Sequence, residues 1–206
     1  KYFPIKKQIK LLFETDNRKS EIYGYIESNE PVIFSSQESI SISILCPDPY
    51  FYSQQIQYTI FSGIQNKFEF PFFNDSLNSN LIELGTLNLN TTQTVYYTGD
   101  AESGFTIYIH FLGNATNINI YNITTREKMT INTDLFSAIV GSPITVGDDI
   151  IISTVKGSKF MYLLRNVEQI NILNCLDRNS DWPQLVKGDN IFAYTADYGV
   201  SVMQFK

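Results

Sequence analysis

The residue types in this chain that could do chemistry are few and scattered. His110 is the only histidine among the 206 residues. It lies in Thr106-Ile107-Tyr108-Ile109-His110-Phe111, where alternation sets it on the face of Thr106 and Tyr108. A general base needs a nucleophile beside it and an acid to orient it, and the sequence assigns neither. The pattern fits an ordinary half-exposed strand residue. Asp100 and Glu102, between Gly99 and Gly104, form a carboxylate pair of the kind that glycoside hydrolysis uses. Calcium would require several more oxygen ligands at loop spacing. The expected reading is a turn with solvated acids, and the same holds for Asp148 and Asp149 after Gly147. Trp182, the single tryptophan, sits in the polar loop Ser180-Asp181-Trp182. With Tyr198 it is a candidate sugar-stacking platform or partner surface, although a tryptophan closing one end of a core is the commoner use. Catalytic residues, cofactor sites and metal sites are all expected to be absent: the chain has no phosphate-cradling glycine loop, no metal-ligand cluster and no Cys/His pair.

Composition narrows the function classes. The chain is 43% hydrophobic, 14% aromatic and only 17% charged, and its polarity comes from Asn, Ser and Thr. That mixture suits sheets closed by turns and argues against disorder. A net charge of −6 argues against a nucleic-acid surface, which needs clustered Lys and Arg. The one basic run, Lys6, Lys7 and Lys10, reads as a solvated strand face or edge. No stretch has the length of a membrane span. Cys46 and Cys175 are too few for a disulfide framework and read as small buried hydrophobes of a reducing compartment. Sequons at Asn74, Asn90, Asn114 and Asn122 are expected by chance in so Asn-rich a chain.

The elements that must position these residues are strands. Residues 8–13, 21–28 and 39–46 read as three strands, with Thr15-Asp16-Asn17-Arg18 as a turn and Glu30-Pro31 opening the next connection. The third, Ser39-Ile40-Ser41-Ile42-Ser43-Ile44-Leu45-Cys46, alternates strictly and then stops at Pro47-Asp48-Pro49, where two prolines remove two ladder donors. Tyr50, Phe51 and Tyr52 follow at once, so the segment reads as a stiff elbow between two units. Three strands bury too little to stand alone. Since Lys1 begins in strand-like sequence, the first unit, residues 1–49, is expected to be truncated.

Beyond the elbow, residues 50–206 hold short apolar segments separated by turn chemistry, the pattern of a β-sandwich. Strands are predicted at 67–72, 81–84, 94–98, 105–111, 117–121, 128–131, 149–154, 160–164, 169–172, 190–195 and 200–205. A short helical turn at 134–139 would take Asp134 as its cap.

In wording and order the chain resembles the distal tail proteins (Dit) of long-tailed bacteriophages. The resemblance rests on Cys46-Pro47-Asp48-Pro49-Tyr50-Phe51, on Phe70-Pro71-Phe72, and on Gly99-Asp100-Ala101-Glu102-Ser103-Gly104. It continues through Asp149-Ile150-Ile151-Ile152-Ser153-Thr154 and Lys187-Gly188-Asp189-Asn190 with Phe192-Ala193-Tyr194. No single motif is specific, whereas their order covers the chain from Lys6 onward. The resemblance implies an all-β protein: the end of a ring-forming N-terminal domain over 1–49, then a galectin-like β-sandwich over 50–206. It also implies a structural, non-enzymatic role in the virion. The protein would join the tail tube to the tip or baseplate after assembly in the bacterial host cytoplasm, and the full-length protein would close as a hexameric ring. Its partners would be other tail proteins (tube, baseplate, receptor-binding proteins), with no nucleic acid and no membrane. Galectins that bind sugar use a strand histidine. The alternative is therefore a carbohydrate-binding module assisting cell-wall attachment through Trp182, His110 and Tyr198, although a shared fold does not carry a sugar site with it.

Overall fold

A computed structural model of the chain describes residues 4–15, 18–32, 39–66 and 85–206. The strands expected at 67–72 and 81–84, with the Phe-Pro-Phe motif, lie outside the described residues. The chain divides into two compact units, Lys1–Gln57 and Tyr58–Lys206.

The first unit is an antiparallel sheet of β1 (Gln8–Thr15), β2 (Arg18–Val32), β3 (Ser39–Leu45) and the short β4 (Tyr52–Ser53). β2 is the centre, pairing with β1 from Gln8↔Tyr25 to Thr15↔Arg18, with β3 from Tyr25↔Leu45 to Val32↔Ser39, and with β4 at Glu21↔Tyr52. Period-2 burial places Ile22, Gly24 and Ile26 inward on β2. Gly24 is required by close approach: a Cβ there would lie 2.6 Å from Ile44 Cγ2 and 2.9 Å from Cys46 Sγ. β3 ends at Leu45, before the first proline, as the missing ladder donors dictate. Phe51 then folds edge-on against Phe13, with ring centroids 5.3 Å apart, and the Tyr52 hydroxyl donates to the Asp48 carboxylate. That bond pushes the Tyr52 phenol up to about 12.

The second unit is a sandwich. Its strands are β5 (Ser62–Asn66), β6 (Gly85–Leu89), β7 (Thr92–Tyr97), β8 (Thr106–Phe111), β9 (Ile118–Asn122), β10 (Glu127–Ile131), β11 (Asp149–Ser153), β12 (Phe160–Arg165), β13 (Glu168–Asn171), β14 (Gly188–Thr195) and β15 (Met203–Phe205). One sheet runs β10-β9-β14-β7 and the other β13-β12-β11-β8-β15, while β5 and β6 form a separate ribbon. The pairings are antiparallel throughout. Alternation aims Ile107, Ile109 and Phe111 of β8 inward with Ile150 and Ile152 of β11 and Met161 and Leu163 of β12. They share one core with Ile118 and Ile120 of β9, Met129 and Ile131 of β10, and Tyr194 of β14. Each such side chain contributes about 1.5–3 kcal/mol by leaving water, so the closure of the two sheets is hydrophobic in origin.

Two local expectations are corrected, and two short features appear that the sequence reading did not include. Helix α1 spans Thr133–Val140 and is capped by Asn132, not Asp134; the Asn132 Oδ1 accepts from the backbone N–H groups of Asp134 (2.9 Å) and Leu135 (3.1 Å). Asp134 instead lies in the first turn, where its charge faces the positive end of the helix. The strand expected at 200–205 begins as a 3-10 turn, Val200–Val202, because Gly199 turns the chain at φ 84. A second short 3-10 turn forms at Leu173–Cys175. β5 and β6 were not foreseen, since Ser-Gly-Ile-Gln-Asn and Gly-Thr-Leu-Asn-Leu carry the Gly and Asn content of turns.

Candidate functional site

His110 lies on the outer face of the five-stranded sheet, as its alternation requires. The β8–β11 register sets it directly opposite Asp149, and its Nδ1 lies 2.6 Å from Asp149 Oδ1. Both side chains are nearly half exposed, so the pair is a solvated cross-strand staple. Among the described residues no Ser, Thr or Cys side chain hydrogen-bonds His110, so the base–nucleophile relation is not assembled. The next row of the same face holds Tyr108 opposite Ile151 and Ile151 opposite Tyr162, whose ring stacks on Phe160 at 5.0 Å.

Trp182 closes one end of the sandwich. Its ring is partly buried against the core, and Lys159 Nζ lies 5.0 Å from its centroid. Gln184, buried beside it, donates from Nε2 to the Thr154 carbonyl at 2.9 Å and to the Trp182 carbonyl at 3.2 Å, which ties this loop to the end of β11. Tyr198 stands at the opposite end of the sandwich, exposed, on a turn whose carbonyl accepts from the Thr116 N–H at 3.0 Å. Trp182, His110 and Tyr198 are thus set on one end, an outer sheet face and the other end.

The carboxylates divide into two kinds. Asp100 and Glu102 are exposed and pair with lysines, Asp100 with Lys187 at 2.5 Å and Glu102 with Lys156 at 3.4 Å. Asp148 corrects the expectation of a solvated turn acid. Its side chain is 1% exposed, and Arg165 from β12 grips it through Nε at 2.7 Å and Nη2 at 2.5 Å. The Thr145 N–H adds a third bond at 2.8 Å. The same guanidinium donates to Ser142 Oγ and to the Pro143 carbonyl, so one side chain pins the loop between α1 and β11. The carboxylate raises the Arg165 pKa further above its already high ordinary value. Sequence reading missed this because Asp148 and Arg165 meet only through the β11–β12 pairing. Cys46 and Cys175 are free thiols, and burial pushes Cys175 up to about 11. Among the described residues no group of three His, Cys, Asp or Glu side chains is placed to hold a metal ion. No helix among them is long and apolar enough to cross a membrane.

No curated protein matches the sequence. A family model described as "Siphovirus-type tail component, C-terminal domain", of the SPP1 Dit type, matches residues 98–206. Among solved structures, the chain resembles the crystal structure of the Dit protein (gp 19.1) of phage SPP1, "a Paradigm of Hub Adsorption Apparatus in Gram-positive Infecting Phages". The TM-score is 0.52 at 12% identity, over 93% of this chain and 64% of that one. At that identity the likeness is one of fold, and this chain spans less than two thirds of the SPP1 protein's length. The baseplate of phage P2 in its activated conformation with Ca also matches, with a TM-score of 0.43 and 9% identity over 97% of this chain and 67% of that one. The family match covers more than half of the sequence and falls wholly within the sandwich, and on that ground the chain belongs to the SPP1 Dit family of siphovirus-type tail components.

Proposed function

We propose that the protein is a distal tail hub: a structural part that joins the tail tube to the tip or baseplate and offers its sandwich unit as an attachment point for adhesion proteins. The observation that carries this reading is the family match over 98–206, which falls on the sandwich itself. On this reading the first unit supplies the closing strands of the ring-forming domain, the second unit is the galectin-like domain, and the full-length protein closes as a hexamer. It acts in the virion by surface complementarity, without catalysis, and is assembled in the host cytoplasm. Tyrosine, tryptophan and arginine anchors carry most of the affinity at such interfaces. The exposed Tyr108 and Tyr198 are side chains of that kind, with the exposed Val146 and Val167 adding apolar surface.

The experiment is gold labelling of an epitope in the sandwich unit on whole particles. The expected result is a collar just above the tail tip. Label on the capsid, along the full tube, or only on the outermost receptor-binding heads overturns the reading.

A further inference from the structure

The two ends of the sandwich are built from different chemistry. At the Trp182 end, the loops 98–105, 123–127, 154–159 and 181–187 carry acids and bases together, and opposite charges meet as Lys187–Asp100 and Lys156–Glu102. At the other end, the segments 112–117, 132–148, 165–168 and 196–202 carry Asp134, Asp148, Glu168 and Asp197 against Arg165 alone. Arg165 is already bound to Asp148, so this end has a surplus of negative charge. It also exposes aliphatic side chains, with Val146 71% and Val167 103% exposed, and carries the exposed Leu112 and Tyr198.

Register lines these residues up. Asp149 faces both His110 and Leu164, and Met203 faces Phe111. The β12–β13 turn, the start of β11, the end of β8 and the start of β15 therefore share one rim. At about 4.8 Å per strand the rim is roughly 20 Å long. The Arg165 clamp on Ser142, Pro143 and Asp148 fixes the Val146 loop in place, which lowers the entropy lost on docking.

Val167 is the most informative residue of the rim. Asn166 and Val167 form the two-residue turn between β12 and β13 with φ 49 and φ 71, positions at which Asn and Gly are favoured and a β-branched residue is a steric outlier. Backbone outliers of this kind cluster at functional sites, which makes a valine held in one and wholly in solvent a candidate contact with something outside its own fold.

We propose that this rim is a docking surface for another protein, specifically for a segment with an apolar centre flanked by Lys or Arg. The apolar side chains supply the contact and the unneutralised acids select the flanking charge. The inference rests on reading the sandwich as an attachment point in a tail.

The test is photo-cross-linking in purified tails of the phage or prophage that encodes the chain, with Val167→p-benzoylphenylalanine and, at the opposite end, Val155→p-benzoylphenylalanine. The expected result is a cross-link from position 167, and none from 155, to a different protein at an apolar peptide bearing Lys or Arg. Tails that contain the protein but cross-link equally from both positions, not at all from 167, to a second copy of this chain, or to an acidic segment overturn this inference and leave the tail reading standing. Tails that lack the protein overturn both. A second variant separates docking from folding. Val167→Asn should keep or raise the melting temperature while lowering the yield of tails carrying the cross-linked partner at least fivefold. A fall in melting temperature would assign Val167 to the fold and overturn the proposal.

Discussion

Removing the Arg165 guanidinium tests whether the acid after Gly147 is buried in solution. The Asp148 side chain, 1% exposed, accepts from Arg165 Nε at 2.7 Å, Arg165 Nη2 at 2.5 Å and the Thr145 N–H at 2.8 Å. Arg165→Ala leaves that carboxylate out of water with the Thr145 backbone as its main remaining donor. It also frees the Pro143 carbonyl and strips the guanidinium from its place 5.9 Å from the centre of the Phe136 ring. Breaking one side of a buried ion pair costs about 3–5 kcal/mol, against about 0–1 for a surface pair. At roughly 2–4 °C per kcal/mol for a unit of this size, the melting temperature should fall by about 6–20 °C. Asp148→Leu combined with Arg165→Met removes both charges and both desolvation penalties. The double variant should therefore be less destabilised than the sum of the single changes by more than about 1 kcal/mol. Urea unfolding followed by the fluorescence of Trp182 is the assay, since the single tryptophan lies in the same unit. A loss below about 1 kcal/mol for Arg165→Ala, or a loss that high salt abolishes, would show a solvated pair and refute the argument.

Two further outcomes follow from local geometry. Gly199→Ala should cost about 2–5 kcal/mol, because the residue sits at φ 84 and its new Cβ would fall 2.2 Å from the Asn114 carbonyl oxygen; Gly157→Ala, at φ 82 in open space, should cost only about 1–2. Equal costs in urea would mean that the 196–202 turn does not pack on residues 114–115 as described. Burial raises the Cys175 thiol from 9.0 to about 11, so the folded chain keeps a proton that the unfolded chain gives up. That contribution is intact below about pH 9 and is lost as pH rises toward 11. Cys175→Ala should flatten the alkaline slope, with the remainder coming from Tyr194, which burial also raises. An unchanged slope would place the titrating group elsewhere. At pH 8 a thiol reagent should modify the half-buried Cys46 and spare Cys175 until the sandwich unfolds.

Strands were legible where burial on one face imposes period 2. Thr106–Phe111 and Ser39–Leu45 could be placed from alternation alone, and the second ended where Pro47 removes its donor. Ambiguity arose wherever one residue type serves two local structures. Asn132 and Asp134 are both good caps, and the choice falls to Asn132 because the helix begins a residue earlier than its apolar pattern. Val200 and Val202 read as strand by propensity, yet the close packing of Gly199 on residues 114–115 curls them into a 3-10 turn. The first choice was settled by the local start of the helix and the second by a tertiary contact that composition left open.

The candidate site was less legible for a related reason. A catalytic constellation can announce itself through residue types, but a docking rim is defined by exposure, and exposure at a loop tip follows from strand register. Tyr198 stands out as a candidate surface residue, but Leu112, Val146 and Val167 are ordinary aliphatic letters spread over the second half of the sequence. They come to the same end of a sandwich only because β8, β11 and β12 pair without register shifts and the next turns emerge together. The local trace that was available is a valine in the two-residue turn of Arg165-Asn166-Val167-Glu168, where a glycine after asparagine would fold with less strain. A residue that opposes its own turn is the local feature on which the proposed docking contact rests. The acids around it set the sign of the partner's charge, and raising salt should therefore slow docking at this rim before it loosens the apolar contact.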